Sequence, residues 1–280
     1  MKIAAYYKLV KPGIIYGNLI TGVAGYLLAS GLKIYFASFI SMAIGMSLVM
    51  GSACVVNNLM DRDIDSKMDR TKRRPSVSGE ISRTSGAIYS ATLAIIGFIL
   101  IFVFVNKLCA LVGLIGFIDY AVIYTYLKKR TYHATLIGSL AGAAPIVGGY
   151  VAYSDNFNLT ALVIGIMMAV WQMPHFYAIS IYREKDYRKA KIPVMSITSG
   201  KMITARWMVF YSFIFLISSV ELYLIQPSRL FYLIVMSLVS MIWLGFNISG
   251  LKRPDIAWAR KSFFLSLMVM LVMSFMIAIN

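Results

Sequence analysis

The sequence predicts an all-α, polytopic membrane protein, with nine transmembrane helices around an apolar central cavity and a charged cap facing the cytoplasm. Three observations predict it. Of the 280 residues 60% are hydrophobic and 14% charged, and the mean hydropathy is +0.77, whereas a soluble domain averages roughly 45–50% apolar and 25% charged. The apolar residues fall into nine runs long enough to cross ~30 Å of hydrocarbon. The basic residues between the runs segregate to one side. This composition excludes an ordinary soluble enzyme, a disordered chain and a nucleic-acid-binding module. The net charge of +16 does not argue for nucleic acid, because it sits in short clusters between apolar runs, where basic residues set topology. Cys54 and Cys109 both lie inside apolar runs, so neither a disulfide framework nor a metal knuckle is expected.

The expected spans are 13–31, 35–60, 86–105, 108–127, 134–152, 160–182, 204–225, 230–249 and 262–279. Strand-like alternation is absent, so helices must satisfy the backbone. The first span follows Lys11-Pro12; it is too long for a signal-peptide core and is read as retained. The second, fourth and sixth end in charged segments, and the sixth carries Pro174. With the N-terminus inside, 24 of the 27 Lys and Arg residues fall on the cytoplasmic side and only Lys33, Lys107 and Arg229 on the other. A missed or extra span would scramble that split. No Arg-rich transit segment precedes the first span, which favours a bacterial inner membrane with a periplasmic C-terminus. The chain reads as one domain, 1–280. Two long inside loops, 61–84 and 183–203, lie about 120 residues apart and both run from acidic to basic to proline, hinting at a duplication of helices 2–3 in helices 6–7.

The densest chemistry lies in these loops. Asn57, Asp61, Asp65 and Asp69 are spaced four apart, so a continuing helix would line them on one face, where like charges destabilise each other. A cation must offset them. Hard oxygen ligands at the mouth of a cavity suit Mg²⁺, which takes one or two carboxylates and completes its octahedron with water and substrate phosphate. Asn57, Asp61 and Asp65 are therefore the expected metal ligands, with Asp61 and Asp65 catalytic. The basic residues beside them (Arg62, Lys67, Arg70, Arg73 and Arg74) would hold phosphate oxygens. A solvated loop that merely anchors topology is the plainer alternative; an Asn-Asp ladder emerging from a wholly apolar helix favours the metal–diphosphate reading.

Asn57-x3-Asp61-x3-Asp65, followed by Arg70-Thr71-x2-Arg74-Pro75, resembles the first aspartate-rich motif of the UbiA family of intramembrane prenyltransferases. Trp171-Gln172-Met173-Pro174-His175-Phe176 and Tyr182-Arg183-x2-Asp186-Tyr187 are similar to the branch of that family that farnesylates haem. So are Lys129-Arg130, Gly138-Ser139-Leu140-x-Gly142-Ala143-Ala144-Pro145 and Trp258-Ala259-Arg260-Lys261. The resemblance covers essentially the whole chain. It implies transfer of the farnesyl group of farnesyl diphosphate to the 2-vinyl group of haem b, with addition of water, giving haem O and diphosphate. It also implies Mg²⁺ as cofactor, a lipid bilayer as surroundings, and a link to haem A synthase or terminal-oxidase assembly. One departure matters: the second motif offers only Asp186, with Glu184 beside it, where relatives acting on aromatic acceptors carry several aspartates. Arg183 and Lys185 would then hold diphosphate mainly by cation contacts, with Asp186 paired to Arg183.

Tyr124-x3-Lys128 resembles the family's Tyr-x3-Lys element, so Lys128 would neutralise the leaving diphosphate and Tyr124 donate to it. A snorkelling lysine beside an interfacial tyrosine explains the pair as well, and packing is the favoured reading for Tyr120. His175, inside the sixth span, is a functional candidate by position: it could contact haem propionates, ligate iron or act on the added water, against a helix–helix hydrogen bond beside Pro174. Asp119 is also intramembrane, with a structural pairing as the equal alternative. Gly13-x3-Gly17 and Gly138-x3-Gly142 permit close helix packing. Three rival functions fit the sequence less well. A quinone-precursor prenyltransferase fits the second motif poorly. A transporter for an anionic substrate would place its charges near the midplane. A non-catalytic haem-handling factor would need more histidines.

Overall fold

The structure, a computed structural model, describes residues 2–226 and 230–279; Arg229 lies outside them. Among the described residues there is no strand, and nine helices are long and apolar enough to cross a membrane. They are α1 (Pro12–Ser30), α2 (Phe36–Met60), α3 (Arg83–Phe104), α4 (Lys107–Leu127), α5 (Ala134–Ser154), α6 (Leu159–Tyr182), α7 (Lys201–Ile225), α8 (Leu230–Ser249) and α9 (Ile256–Ala278). The expected spans reappear with small shifts. The largest is at α9, which begins at Ile256 because Asp255 caps it, accepting the Trp258 N–H at 2.8 Å. The charged turn Arg260-Lys261 is thereby helical although it lies outside the apolar run.

Lipid tails are as apolar as the helix surfaces, so close packing and interhelical hydrogen bonds hold such a bundle. The tightest crossing is between α1 and α5. A Cβ on Gly25 or Gly149 would run into the carbonyl oxygen of Ile146 or Gly22 opposite. Of the glycine pairs expected to permit close packing, Gly138 and Gly142 do so, admitting the Tyr124 ring and the Gln172 amide from neighbouring helices, whereas Gly13 and Gly17 border the cavity, where a Cβ on either would meet nothing within 4 Å. On the other side, α7, α8 and α9 share a buried polar string: Ser262 donates to Asn247 Oδ1 at 2.8 Å and Asn247 Nδ2 to Ser212 Oγ at 2.7 Å.

Helix α4 is not α-helical throughout. Asp119–Tyr124 forms a π-helical turn. Helix α5 breaks at Gly138, and Asp119 Oδ2 accepts the Ala141 N–H at 2.9 Å, capping the part of α5 that resumes at Ser139. The intramembrane carboxylate thus serves a helix terminus whose donors would otherwise be orphaned.

Helix α2 ends at Met60; Asp61 leaves the helix (φ −93°, ψ 3°), and a short helix, Arg62–Asp65, precedes a chain of turns to Pro75. The acidic ladder therefore breaks at Asp61 and does not run straight to Asp69. The second loop, with helices Glu184–Lys189 and Met195–Thr198, packs on the first: Ile64 and Met68 meet Ala190 and Ile192. The Asp69 N–H donates to Asp186 Oδ1 at 3.3 Å, and Lys189 Nζ pairs with Asp69 Oδ2. The two loops form one lid.

Candidate active site

Beneath the lid lies a cavity of about 640 Å³, in the range of small-molecule sites. Its mouth is polar. Asn57, Asp61 and Asp65 are 2–3% exposed, and each is met by a cation from a different element. Lys11 Nζ donates to Asn57 Oδ1 at 2.5 Å, Lys128 Nζ to Asp61 Oδ2, and Arg74 Nη1 to Asp65 Oδ2 at 2.6 Å. Asp61 Oδ1 is buried with no hydrogen-bond partner. Burial lifts the Asp61 carboxyl above its usual range, countered by Lys128, and lowers the Lys128 ammonium, countered by Asp61. An orphaned carboxylate oxygen, a second carboxylate and an amide oxygen form the hard donor set that Mg²⁺ prefers, so the residues fit that ion.

Asn57 is oriented from behind. Its Nδ2 donates to Thr125 Oγ1 at 2.8 Å, and that hydroxyl donates to the Tyr120 carbonyl, at 2.8 Å, within the π-helical turn. The same turn presents Tyr120 and Tyr124 to the cavity, their rings stacked with centroids 5.7 Å apart, and Lys128 reaches it from four residues further on. Arg70 and Arg183 border the cavity, Arg183 lying against the Tyr182 ring at 5.0 Å.

Lower down, His175 lines the wall, stacked on Trp171 at 4.9 Å and tilted against Phe263. Its Nδ1 lies 2.7 Å from Ser266 Oγ, whose own hydrogen goes to the Phe263 carbonyl at 2.6 Å. A hydroxyl has one hydrogen; with that hydrogen on the Phe263 carbonyl, the neutral ring donates from Nδ1 to Ser266 and has its lone pair on Nε2. The ring thus makes a helix–helix hydrogen bond and lines the cavity wall at the same time.

The structure brings Asn57, Asp61, Asp65, Arg70, Arg74, Tyr124, Lys128, His175 and Arg183 to one cavity. It does not bring the others there. Lys67, Arg73 and Lys185 are exposed, and Arg62 is half-buried outside the lining. Asp186 turns to the Asp69 backbone rather than to Arg183, because the loop packing places it under that N–H. Lys11 and Tyr120 are gained: Lys11 Nζ lies 3.4 Å from the Tyr120 hydroxyl. Lys11 adopts a left-handed conformation (φ 54°, ψ 65°) directly before Pro12, costly for a residue with a Cβ preceding proline. Asn58 Nδ2, donating to the Leu9 carbonyl at 2.7 Å, pins that bend. The available signal was a lysine-proline step at the start of the first span, which topology alone explained.

The profile described as the UbiA prenyltransferase family matches residues 18–268. The chain belongs to the UbiA prenyltransferase family. The protoheme IX farnesyltransferase of Sodalis glossinidius is 42% identical over 283 residues, covering 100% of this chain and 95% of its own. That of Pectobacterium atrosepticum is 42% identical over 281 residues, covering 99% and 95%. Among solved structures, a digeranylgeranylglyceryl phosphate synthase superposes with a TM-score of 0.82 at 22% identity, over 99% of both chains. A UbiA homologue from Archaeoglobus fulgidus bound to GPP and Mg²⁺ does so at 0.74 and 14%, over 98% of this chain and 99% of its own. At these identities the structural likenesses speak for the fold of this UbiA-family chain, a multi-pass membrane protein.

Proposed function

We propose that this chain transfers the farnesyl group of farnesyl diphosphate to the 2-vinyl group of haem b, with addition of water, releasing diphosphate and haem O. The observation that carries the reading is 42% identity, across the whole chain, to relatives named protoheme IX farnesyltransferase. Asn57, Asp61 and Asp65 would hold Mg²⁺, which when bound offsets negative charge developing on the leaving group. Lys11, Arg70, Arg74, Lys128 and Arg183, all in the cavity lining, would hold diphosphate oxygens, and Tyr124 would donate to one. Breaking the allylic C–O bond leaves a carbocation that water would quench, so the apolar wall below the mouth protects it until the vinyl group attacks. His175, with Nδ1 fixed by Ser266 and flanked by Trp171 and Phe263, offers Nε2 and flat surfaces to a porphyrin. Arg62, Lys67, Arg73 and Lys185, outside the lining, would act from the lid's rim by attracting the anionic donor, and Asp186 by joining the two loops. The 24-to-3 basic split supports a bacterial inner membrane, N-terminus and lid cytoplasmic, C-terminus periplasmic. The product would pass to haem A synthase or an oxidase-assembly pathway.

The test is incubation of purified protein with haem b, farnesyl diphosphate and Mg²⁺, read by mass spectrometry of extracted haem. A product heavier by one farnesyl group and one hydroxyl, together the mass of farnesol, is expected. Prenylation of 4-hydroxybenzoate but not of haem would move the activity to the quinone-precursor branch.

A further inference from the structure

The α1–α5 crossing lies beside the cavity, with Met46 packed against it: backbones are in contact at Gly22–Gly149 and Gly25–Ile146. Helices α6 and α9 line the cavity with Trp171, His175 and Met270; α2, α4 and α5 line it with methionines and small residues, Gly113, Gly116 and Ala144 among them. The α2 lining leads up to the acidic mouth, because Met46, Met50, Ala53, Asn57 and Asp61 follow one face of the same segment. Met46 is the α2 residue of that lining farthest from Asp61. The Met46 side chain is clamped between two glycines: a Cβ on Gly148 would come 2.7 Å from its Cε, and one on Gly22 3.2 Å from its Sδ. Ile101 and Cys109, each 1% exposed, complete the floor.

We propose that Met46, backed by Ile101, is the stop that measures the prenyl chain, and that it sets the donor at fifteen carbons. The inference rests on the prenyltransferase reading of the cavity. The distance supports it. At about 1.5 Å per residue the fifteen residues from Met46 to Asp61 span about 22 Å. The diphosphate, with any ion the mouth would hold, would take up roughly 7 Å of that. The remainder is about 15 Å. Twelve carbons in line, the longest run of a farnesyl group, reach about 14 Å at ~1.25 Å of advance per bond. One further isoprene unit adds about 5 Å on the same arithmetic and meets Met46.

The experiment titrates geranyl, farnesyl and geranylgeranyl thiolodiphosphates, which do not ionise readily, into purified wild type, Met46→Ala, Ile101→Ala, Gly148→Ala and Met270→Ala with Mg²⁺, and runs the matching diphosphates with haem b. Met46→Ala or Ile101→Ala should raise geranylgeranyl relative to farnesyl binding at least tenfold, the scale at which a pocket rejects surplus methylenes. Gly148→Ala should press Met46 into the cavity and shift preference toward geranyl. Met270→Ala, on the α9 wall, should leave the ratio unmoved. Wild-type length ratios in folded Met46→Ala and Ile101→Ala, or an equal shift in Met270→Ala, would overturn the assignment. Length-dependent donor binding without haem prenylation would sink the acceptor assignment and leave the stop standing.

Discussion

Replacing Asp61 with Asn removes a charge from the most crowded point of the site. Asp61 and Lys128 have side chains 4% and 13% exposed. Two unit charges about 4 Å apart at an effective dielectric near 20 attract by about 4 kcal/mol, and breaking a buried pair from one side costs ~3–5 kcal/mol. Asp61→Asn should therefore lose about 3 kcal/mol of stability, at the low end because burial already pulls Lys128 toward neutrality. It should also lose ~10²–10³ in kcat, the usual effect of removing leaving-group stabilisation. The double variant Asp61→Asn/Lys128→Met separates the two losses. Its stability should return to within about 1 kcal/mol of wild type, since no charge is left uncompensated, while turnover stays low. Cys54 and Cys109 are free and buried, so the rate at which a thiol-reactive fluorophore labels them in detergent reports unfolding. Turnover in Asp61→Asn within threefold of wild type, or a double variant no more stable than the sum of its singles, would refute the reasoning.

Burial lowers Lys11 to about 8. Fold stability linked to it is present above its ordinary value of 10.5 and falls as pH drops through about 8, whereas the charge needed by diphosphate is present below about 8. Donor affinity should weaken as pH rises through 8 in wild type and stay flat in Lys11→Arg, measured by titrating farnesyl thiolodiphosphate. Asp186→Ala frees the Asp69 N–H and loosens the joint between the loops; KM for farnesyl diphosphate should rise several-fold, consistent with about 1 kcal/mol for one hydrogen bond, with haem affinity unchanged in the same preparation. His175→Ala should do the reverse, altering the haem absorption spectrum and weakening haem binding while donor affinity holds. Topology reporters fused after residues 75, 130, 195 and 255 should read cytoplasmic and those after 32, 107 and 155 periplasmic; a periplasmic signal at 75 would invert the site.

The nine spans were legible because bilayer thickness imposes one length on every helix, and the apolar runs record it. The acidic mouth was legible too, since Asn57, Asp61 and Asp65 share a four-residue spacing that survives the end of α2. What the loops do to each other was not: Asp186, 117 residues from Asp69, finds its backbone through packing of Ile64 and Met68 on Ala190 and Ile192. Lys11 stayed hidden because its role depends on a left-handed bend that no propensity favours. Gly13-x3-Gly17 misled for a related reason, as small residues serve an opening as readily as a contact.

The π-helical turn Asp119–Tyr124 amounts to one residue more than an α-helix would need there. An added residue rotates everything after it by about 100°, so the aim of Thr125 and Lys128 at Asn57 and Asp61 depends on a register offset upstream of both. Shortening the stretch by one residue would let α4 relax into regular geometry while swinging Lys128 off Asp61. The more comfortable helix would be the idle enzyme. In an alignment of relatives, a gap here would mark divergence in chemistry rather than in architecture, and a search for stabilised variants would drift toward the deletion unless turnover were selected alongside.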